Sequence, residues 1–496
     1  MNELEIISRA RLFESKVALR TEKNEHSYQD LLSRSAQIAS ALLDKSDDLR
    51  EARVAFLIPA GFDYVATQWG IWRSGGVTVP LCISAAEPEL EYALSDSGST
   101  IVVVPSAYRD KLAGLCQRLD LQLLVIEEVS VSFPDKNLPE ISAQRRAMIL
   151  YTSGTTSKPK GVVTTHLNIQ AQIESLVGAW EWSPDDRIPL FLPLHHIHGI
   201  INICSCALWS GATIEPFPNF DLNTVFERVK SGAYSVFMAV PTIYVKLIQS
   251  LESMGVDEKN VLTRCFAEMR LMISGSAALP ASIHEKWTEL TGQKLLERYG
   301  MTEIGMALSN PFHGERRPGS VGIALPKVEV RLKNEQGDLV LDEDEPGEIQ
   351  IKGPGVFHEY WNLADITNES FDDGWFLTGD MAVIESGYYR IMGRLSVDII
   401  KSGGYKLSAL EIEAALLQHP DISECAVIGL PDDTWGEMVA VAAILESDKE
   451  LVIDELRKWC RDRMSTYKIP KRLILLESLP RNVMGKVTKP SLRELF

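Results

Sequence analysis

Residues 151–162 read YTSGTTSKPKGV, and the interpretation of the whole chain starts from this stretch. It follows an apolar run at 148–150 that is typical of the end of a buried strand. Flexible backbone N–H groups, hydroxyls and lysines are the groups with which proteins hold a polyphosphate. Here they belong to Thr152, Ser153, Gly154, Thr155, Thr156, Lys158, Lys160 and Gly161. The alternative is an ordinary polar loop rich in serine, threonine and glycine.

The spacing of this stretch excludes the P-loop of nucleotide triphosphatases. In that motif a second glycine, followed by lysine, stands five residues after the first. Counting from Gly154, the position is occupied by Pro159. A polyphosphate would therefore be held by a different kind of loop.

The composition indicates a globular chain with more than one domain. Its 496 residues are too many for one compact core, and 45% hydrophobic and 24% charged residues are ordinary values. The net charge of −18 argues against attraction to nucleic acid or to an anionic membrane, so any anion site has to be local. Apolar runs fall short of the roughly 18–20 residues of a spanning helix.

The start of the chain and its cysteines give two further expectations. Residues 1–5 carry early acid and lack a leader pattern, so we expect a cytoplasmic protein without organellar import. The seven cysteines are odd in number and lack C-x-x-C spacing. They predict buried thiols rather than a disulfide framework or a zinc site.

Hydrophobic periodicity predicts an α/β fold. Helical patterns alternate with strand-like runs, which is typical of βαβ units, a parallel or mixed sheet and helices that wrap it. The helical patterns cover 29–43, 64–72 and 167–179, and the strand-like runs cover 54–58, 77–79 and 101–104.

A change in the pattern from about residue 326 predicts a β-rich subdomain over about 326–394, with short runs at 328–332, 347–351 and 388–392. We expect the large N-terminal domain to cover 1–394 and a small α/β lobe to cover 395–496. In this lobe, Ser408 and Glu411 fit a capping box that opens a helix.

Two further segments have compositions that suit the binding of a nucleotide. Residues 297–303 read ERYGMTE, on an expected turn that alone could be a helix end with an exposed aromatic. Residues 274–278 read SGSAA and lack bulk, as a purine pressed against backbone requires, although a tight strand-to-helix turn explains them equally well.

Two motifs near the end of the chain complete the pattern. Asp380 follows Thr378 and Gly379, a predicted hairpin separates it from Arg394, and an isolated aspartate there would usually be a turn residue. Residues 480–486 read PRNVMGK, in which Lys486 would usually be a solvated side chain.

Together, these segments resemble the acyl-adenylate-forming enzymes, the superfamily of acyl-CoA synthetases, luciferases and peptide-synthetase adenylation domains. The resemblance covers essentially the whole chain, and it implies ATP and CoA as co-substrates and Mg²⁺ as cofactor. It implies that the nucleotide contacts the 151–162 loop, Ser276, Ala277 and Gly300, with Tyr299 against adenine and Thr302 bound to phosphate. Mg²⁺ would be bound by Glu303 and Thr155, and the ribose by Asp380 and Arg394. Lys486 would bridge the substrate carboxylate and the α-phosphate.

The resemblance also implies a C-terminal lobe that moves between two half-reactions. Ser396 occupies the family's hinge position, and small or polar residues there can absorb a change in backbone angles. Lys401, Gly403 and Gly404 resemble the segment that lines the tunnel for the CoA thiol, where glycines let a thin arm pass close to the backbone. The alternative for this segment is a plain Gly-Gly turn.

Arg298 indicates which acid such an enzyme takes. A buried, unpaired guanidinium disfavours a fatty tail, whereas a second carboxylate would pair with it bidentately. The alternative is that Arg298 pairs with Glu297 or faces solvent. In the family, the loop at 195–199, HHIHG, lines the acyl pocket; His198 is therefore the candidate for substrate contact, and a metal site is the alternative.

Among the families, these two segments resemble the malonyl-CoA synthetases. This resemblance implies that malonate, with methylmalonate as a secondary substrate, is converted to malonyl-CoA, and we expect a role in fatty acid metabolism. The sequence leaves open whether the protein is a monomer or a homodimer. The alternative hypotheses are a synthetase for another short or aromatic acid, an enzyme that loads a carrier protein in trans, and a nucleotide-binding regulator without catalysis. A regulator without catalysis is expected to lack catalytic residues, whereas this chain retains Glu303, Asp380 and Lys486.

Overall fold

The computed structural model describes residues 3–21, 24–129, 137–152, 158–402, 405–432, 434–481 and 487–496. The strands are β1 Val17–Arg20, β2 Glu25–Ser27, β3 Arg53–Phe56, β4 Val77–Pro80, β5 Ile101–Val104, β6 Gln122–Val125, β7 Arg146–Thr152, β8 Lys160–Thr165, β9 Arg187–Leu190, β10 Thr213–Pro216, β11 Val236–Ala239, β12 Leu271–Ser274, β13 Leu296–Met301, β14 Gly305–Ser309, β15 Ile323–Ala324, β16 Glu329–Lys333, β17 Gly347–Lys352, β18 Glu359–Tyr360, β19 Phe371–Asp372, β20 Trp375–Glu385, β21 Tyr388–Arg394, β22 Ile399–Ser402, β23 Tyr405–Ser408, β24 Ile422–Asp432, β25 Gly436–Leu445 and β26 Arg472–Leu475.

The α-helices are α1 Glu5–Arg11, α2 Tyr28–Leu43, α3 Phe62–Arg73, α4 Glu87–Ser97, α5 Arg109–Arg118, α6 His166–Trp180, α7 Cys206–Trp209, α8 Leu222–Lys230, α9 Pro241–Ser253, α10 Val256–Ala267, α11 Ala281–Thr291, α12 Ala364–Glu369, α13 Ala409–Leu416, α14 Ile453–Cys460 and α15 Lys489–Arg493. Short 3₁₀ turns lie at Ser106–Tyr108, Ile126–Glu128 and Thr466–Lys468, and a π-helix covers His198–Ser205. Among the described helices, none combines the length and the apolar character that crossing a membrane requires.

The chain folds into two compact units, and each unit is built from several separate stretches of the sequence. The first contains Met1–Pro318, Gly322–Glu329 and Ile351–Phe376, and the second contains Gly319–Val321, Val330–Gln350 and Leu377–Phe496. The α/β class is confirmed. The limits 1–394 and 395–496 stay a prediction.

The described residues of the first unit form three sheets. The largest has the strand order β18-β8-β7-β4-β3-β5-β6, in which β3 to β7 pair in parallel and β8 and β18 pair antiparallel. A second sheet has the order β11-β12-β13-β14-β15 and changes from parallel to antiparallel pairing at β13. The third has the order β2-β1-β10-β9. The second sheet therefore brings the 274–278 segment beside the 297–303 segment.

Local sequence signals explain where the main helices begin. Ser27 caps α2, because its hydroxyl accepts from the backbone N–H of Asp30 while the Asp30 carboxylate accepts from that of Ser27. Thr165 and Asn168 make the same exchange at the start of α6. Both helices then bury one face in the largest hydrophobic core.

Two sheets are formed by the part of the second unit that the structure describes. Strands β16, β17 and β20 lie side by side with β21 next to β20, and a five-stranded sheet has the order β23-β22-β25-β24 with β26 beside β25. Helices α13 and α14 cover one face of the latter. Ser408 caps α13 as predicted, but the Glu411 carboxylate pairs with Lys468.

Candidate active site

The end of the β7–β8 hairpin carries the predicted phosphate loop. Thr152 and Lys160 form the last cross-strand pair. Ser153, Gly154, Thr155 and Thr156 lie outside the described residues. The ammonium of Lys160 stands 4.7 Å from the ring centroid of Tyr360, on strand β18. The structure thus places the lysine beside a residue that the sequence analysis did not single out.

Glu303 lies in the turn that joins β13 to β14, with half-buried Thr302 before it. Its side chain is buried, and one carboxylate oxygen accepts a 2.9 Å hydrogen bond from the hydroxyl of Tyr360. Its backbone carbonyl accepts from the N–H of Phe357 at 2.7 Å. The predicted metal ligand is therefore held at both its side chain and its backbone by the same neighbouring segment.

Most of the 297–303 segment is strand, and the predicted turn is wrong for residues 297–301. Strand β13 pairs with β12 on one side and with β14 on the other. Half-buried Tyr299 and Gly300 are part of this strand. These pairings come from distant parts of the sequence, which explains why the local pattern did not reveal the strand.

Ser276 follows β12 with an unusual backbone. Its φ of +70° is in the left-handed region, which residues other than glycine rarely adopt. Ser276 and Ala277 are exposed, yet the Ser276 hydroxyl lies 3.0 Å from Nδ1 of His198 and 3.4 Å from a terminal nitrogen of Arg298. An exposed serine thus joins a buried imidazole and a buried guanidinium.

Arg298 is buried, with 3% of its surface exposed. Its Nε has no hydrogen-bond partner in the part of the chain that the structure describes. Burial lowers the pKa of its guanidinium to about 10, although Glu297 opposes the change, so the group stays charged at neutral pH. Arg298 therefore does not face solvent, and it keeps hydrogen-bonding capacity for an anion.

Glu297 does not neutralise Arg298. Successive side chains of a strand point to opposite faces, and a Glu297 oxygen accepts from the backbone N–H of Leu279 at 3.1 Å. Burial raises the pKa of the Glu297 carboxyl to about 8, while the Leu279 bond and the charge of Arg298 oppose the change. The carboxyl is therefore mainly protonated near neutral pH, and no ion pair joins it to Arg298 among the described residues.

His198 begins the π-helix, a helix type that often marks functional sites. Burial, followed by the charge of Arg298 and the nearby His196, holds the pKa of its imidazole well below the usual range. Its Nε2 lacks a partner within the described ranges. A neutral imidazole hydrogen-bonded to Ser276 can contact a substrate without repelling Arg298.

In the second unit, Asp380 and Arg394 lie opposite each other on strands β20 and β21. The Arg394 Nε and an Asp380 carboxylate oxygen are 3.2 Å apart. The hairpin prediction is confirmed, and the two residues predicted to bind ribose are neighbours.

An ionic cluster around the buried Lys489 fastens the turn that follows Arg394. The carboxylate of Asp398 accepts from the backbone N–H of Arg394 at 3.0 Å and from Lys489 at 2.6 Å. Lys489 also lies 2.7 Å from Glu413. Although burial opposes it, the two carboxylates raise the pKa of Lys489. Ser396, the predicted hinge, is exposed in this turn.

The remaining predicted residues belong to the CoA segment and the final motif. Lys401 is exposed and pairs with Glu335 at 2.8 Å. Gly403, Gly404 and Lys486 lie outside the described residues, so their roles stay predictions.

Glu303 is the candidate ligand for Mg²⁺ among the described residues. Among the described residues, no three histidine, cysteine, aspartate or glutamate side chains form a group that could hold a metal. The buried Glu303 carboxylate nevertheless fits a hard cation that takes its other ligands from phosphate oxygens and water.

The cysteines are only partly as expected. Cys116, Cys204, Cys206 and Cys460 are buried, but Cys82, Cys265 and Cys425 are half-buried. Burial opposes ionisation of the Cys82 thiol, yet hydrogen bonds from His195 and Ser84 outweigh it and lower its pKa to about 7.

Sequence reasoning missed three positions that support the site. Gly275 leaves room for Arg298, Tyr360 lies between Lys160 and Glu303, and Lys489 holds Asp398. The sequence around Tyr360, FHEYWN at 357–362, and the spacing of Lys489 from Lys486 carry no local signal for these contacts, which join distant segments.

The chain matches known families over most of its length. A family model described as AMP-binding enzyme matches residues 8–361. Another, described as AMP-binding enzyme C-terminal domain, matches residues 411–486.

Individual relatives match nearly the full chain. The mitochondrial malonate–CoA ligase ACSF3 of Xenopus laevis is 44% identical over 525 residues, with 98% of this chain and 91% of the relative covered. The malonate–CoA ligase of Arabidopsis thaliana is 38% identical over 527 residues, with 97% of this chain and 86% of the relative covered. The crystal structure of ATP-bound MatB from Rhodopseudomonas palustris has a TM-score of 0.90 and 32% identity, covering 100% of this chain and 99% of that one.

Proposed function

Because the chain belongs to the family of AMP-binding enzymes and is an AMP-forming acid–CoA ligase, we propose that its acid is malonate. The reaction converts malonate, ATP and CoA into malonyl-CoA, AMP and pyrophosphate. Methylmalonate is a secondary substrate, because its extra methyl group leaves both carboxylates in place. The names of the full-length relatives support this choice.

The buried Arg298 is the observation that carries the proposal. One carboxylate of malonate reacts, so the other needs a partner inside the acyl pocket. A guanidinium donates two parallel N–H bonds to a carboxylate, and Ser276 and His198 stand within hydrogen-bond reach of each other at the same place. A monocarboxylate with an apolar tail would leave this charge buried without an anion, at a cost of several kcal/mol.

The first half-reaction joins the other carboxylate to the α-phosphorus of ATP. A carboxylate oxygen forms the new P–O bond while the bond to pyrophosphate breaks, which gives malonyl-adenylate. We assign Lys486 to hold the carboxylate against the α-phosphate, with Lys160 and Thr302 on the phosphates. Glu303, with Thr155, would hold Mg²⁺, which offsets the charge of the triphosphate when bound. Catalysis then depends mainly on position and electrostatics.

The adenine and the ribose of the nucleotide have separate predicted partners. Tyr299 offers its ring to adenine, and the backbone of Ser276 and Ala277 can approach the purine closely. Asp380 accepts from the ribose hydroxyls while Arg394 donates to the sugar. The 3.2 Å between the Arg394 Nε and an Asp380 carboxylate oxygen supports a shared target.

The second half-reaction transfers the malonyl group to CoA. The thiol sulfur bonds to the anhydride carbonyl carbon, the bond to AMP breaks, and the thiol proton leaves to solvent. We assign Lys401, Gly403 and Gly404 to the CoA arm and Ser396 to a hinge between domains 1–394 and 395–496. Motion there lets Lys486 leave the site before the thiol arrives.

Substrate profiling tests the choice of acid. Pyrophosphate release is measured with malonate, methylmalonate, acetate, octanoate and benzoate, and we expect the highest kcat/KM for malonate. A higher kcat/KM for octanoate or benzoate would refute the dicarboxylate proposal in favour of its rivals.

The Arg298→Lys variant tests the residue. Lysine keeps the charge but loses the planar fork, so we expect kcat/KM for malonate to fall by roughly 100-fold while the ATP affinity stays the same. Arg73→Lys is the matched control, since burial also lowers the pKa of Arg73 to about 10 and its bonds go to Leu32 and Ser35. Equal losses of kcat/KM for malonate in the two variants would show that Arg298 does not bind the acid.

A further inference from the structure

Tyr360 touches both charged residues that the proposed function assigns to the triphosphate and its metal. Its hydroxyl donates to Glu303 at 2.9 Å, and its ring lies 4.7 Å from the ammonium of Lys160. The side chain is 5% exposed. We infer that Tyr360 is a positioning residue that sets the distance and orientation between Lys160 and the metal-binding carboxylate of Glu303.

The backbone around Tyr360 makes this arrangement rigid. Strand β18 pairs with β8, so Tyr360 lies opposite Val162, and Trp361 donates to the carbonyl of Gly161 at 2.7 Å. On the other side, Phe357 donates to the carbonyl of Glu303 at 2.7 Å. A five-residue segment is therefore bonded both to the exit of the phosphate loop and to the turn that carries Glu303.

Aromatic packing fixes the ring itself. Phe357 contacts the Tyr360 ring with centroids 4.7 Å apart, and Phe376 packs against Phe357 at 5.4 Å. A ring that cannot turn keeps its hydroxyl directed at Glu303 and its face directed at Lys160.

The two contacts act on the charges in different ways. A phenol that donates to a carboxylate fixes the orientation of that carboxylate, and a fixed orientation favours coordination of a hard cation. A ring face attracts an ammonium without neutralising it, so the charge of Lys160 still acts on phosphate. Tyr360 thus supports the metal through its hydroxyl and the lysine through its ring.

This inference rests on the proposed function for the roles of Lys160 and Glu303, but it does not depend on which acid is activated. Its tests therefore use ATP and metal without the acid. Failure of the malonate proposal would leave them unchanged, whereas a negative result here would leave the acid preference unchanged.

The Tyr360→Phe variant removes the hydroxyl and keeps the ring. Calorimetric titration with ATP, with and without Mg²⁺, and Mn²⁺ binding in the presence of ATP followed by electron paramagnetic resonance are the readouts. We expect metal affinity in the ATP complex to fall about 10-fold, as for other groups that orient a metal ligand, and ATP affinity without metal to stay the same. Tyr360→Leu also removes the ring and should in addition weaken metal-free ATP binding about 3-fold.

Tyr244→Phe is the matched control, because Tyr244 is fully buried and its hydroxyl donates to the Ile273 carbonyl at 2.8 Å. It should change neither affinity. In a Glu303→Gln background, Tyr360→Phe should have no further effect on metal affinity, because the carboxylate that the hydroxyl orients is already absent. Unchanged metal affinity in Tyr360→Phe, or additive effects in the double variant, would overturn the inference.

Discussion

A Cβ atom on Gly275 would lie 2.4 Å from the guanidinium carbon of Arg298. Real Cβ atoms do not approach other atoms so closely, so any side chain at 275 has to displace the arginine. We expect Gly275→Ala to raise the KM for malonate about 10-fold, which corresponds to 1.4 kcal/mol, with little change in the KM for ATP.

Gly178→Ala is the matched control for this prediction. A Cβ at Gly178, in helix α6, would meet no atom within 4 Å, and alanine is the better helix former. It should leave the malonate KM unchanged and slightly raise the melting temperature. A malonate KM that is normal in both variants would contradict the steric account of Gly275.

Glu297 predicts a specific pH dependence of stability. Its pKa of about 8 in the folded state stands above the usual 4.5, so the folded protein binds a proton more tightly than the unfolded chain. Its contribution to the free energy of unfolding is therefore fully present below about pH 4.5 and declines as the pH rises to 8. Urea denaturation between pH 6 and 8.5 should show a smaller decline for Glu297→Gln. Parallel declines in both proteins would contradict the prediction.

Lys489→Met should destabilise the second unit. It leaves the half-buried Asp398 and Glu413 without their shared cation, a change that costs about 3–5 kcal/mol where such groups are fully buried. Because Asp398 bonds the backbone of Arg394, the KM for ATP should also rise. Urea denaturation and ATP kinetics measure both effects, and Lys489→Arg should restore part of each.

The ion pair between the exposed Lys449 and the half-buried Asp421 provides the comparison for Lys489. Lys449→Met should cost less than about 1 kcal/mol and leave ATP kinetics unchanged. A normal ATP KM in a destabilised Lys489→Met would limit the cluster to a structural role.

Cys82 should be alkylated faster than the buried cysteines. Its pKa of about 7 makes much of the thiol ionised at pH 7.5, whereas burial raises the pKa of Cys116 and of Cys460. Mass spectrometry after brief iodoacetamide treatment should locate the label at Cys82, with half-maximal rate near pH 7. In His195→Ala the midpoint should move to higher pH; an unchanged midpoint would exclude His195 as its cause.

Much of the fold could be predicted from local patterns. The run at 29–43 became α2, with bounds Tyr28–Leu43, because its apolar residues recur with helical period and Ser27 caps it. The run at 101–104 became β5 for the corresponding reason: it is a short apolar segment of β-branched residues.

The contacts that complete the site could not be predicted in this way. His198, Ser276 and Arg298 meet through the packing of a π-helix and two strands. Tyr360 reaches Glu303 across 57 residues of sequence. Such contacts depend on three-dimensional packing, for which a single sequence carries no periodic signal.

The left-handed backbone of Ser276 has a consequence for engineering. Glycine would relieve its strain, which is typically about 1–3 kcal/mol, so a designer seeking heat resistance would choose Ser276→Gly. That change would also delete the hydroxyl shared by His198 and Arg298. Thermostability and selectivity for the acid are therefore expected to trade off at this single position.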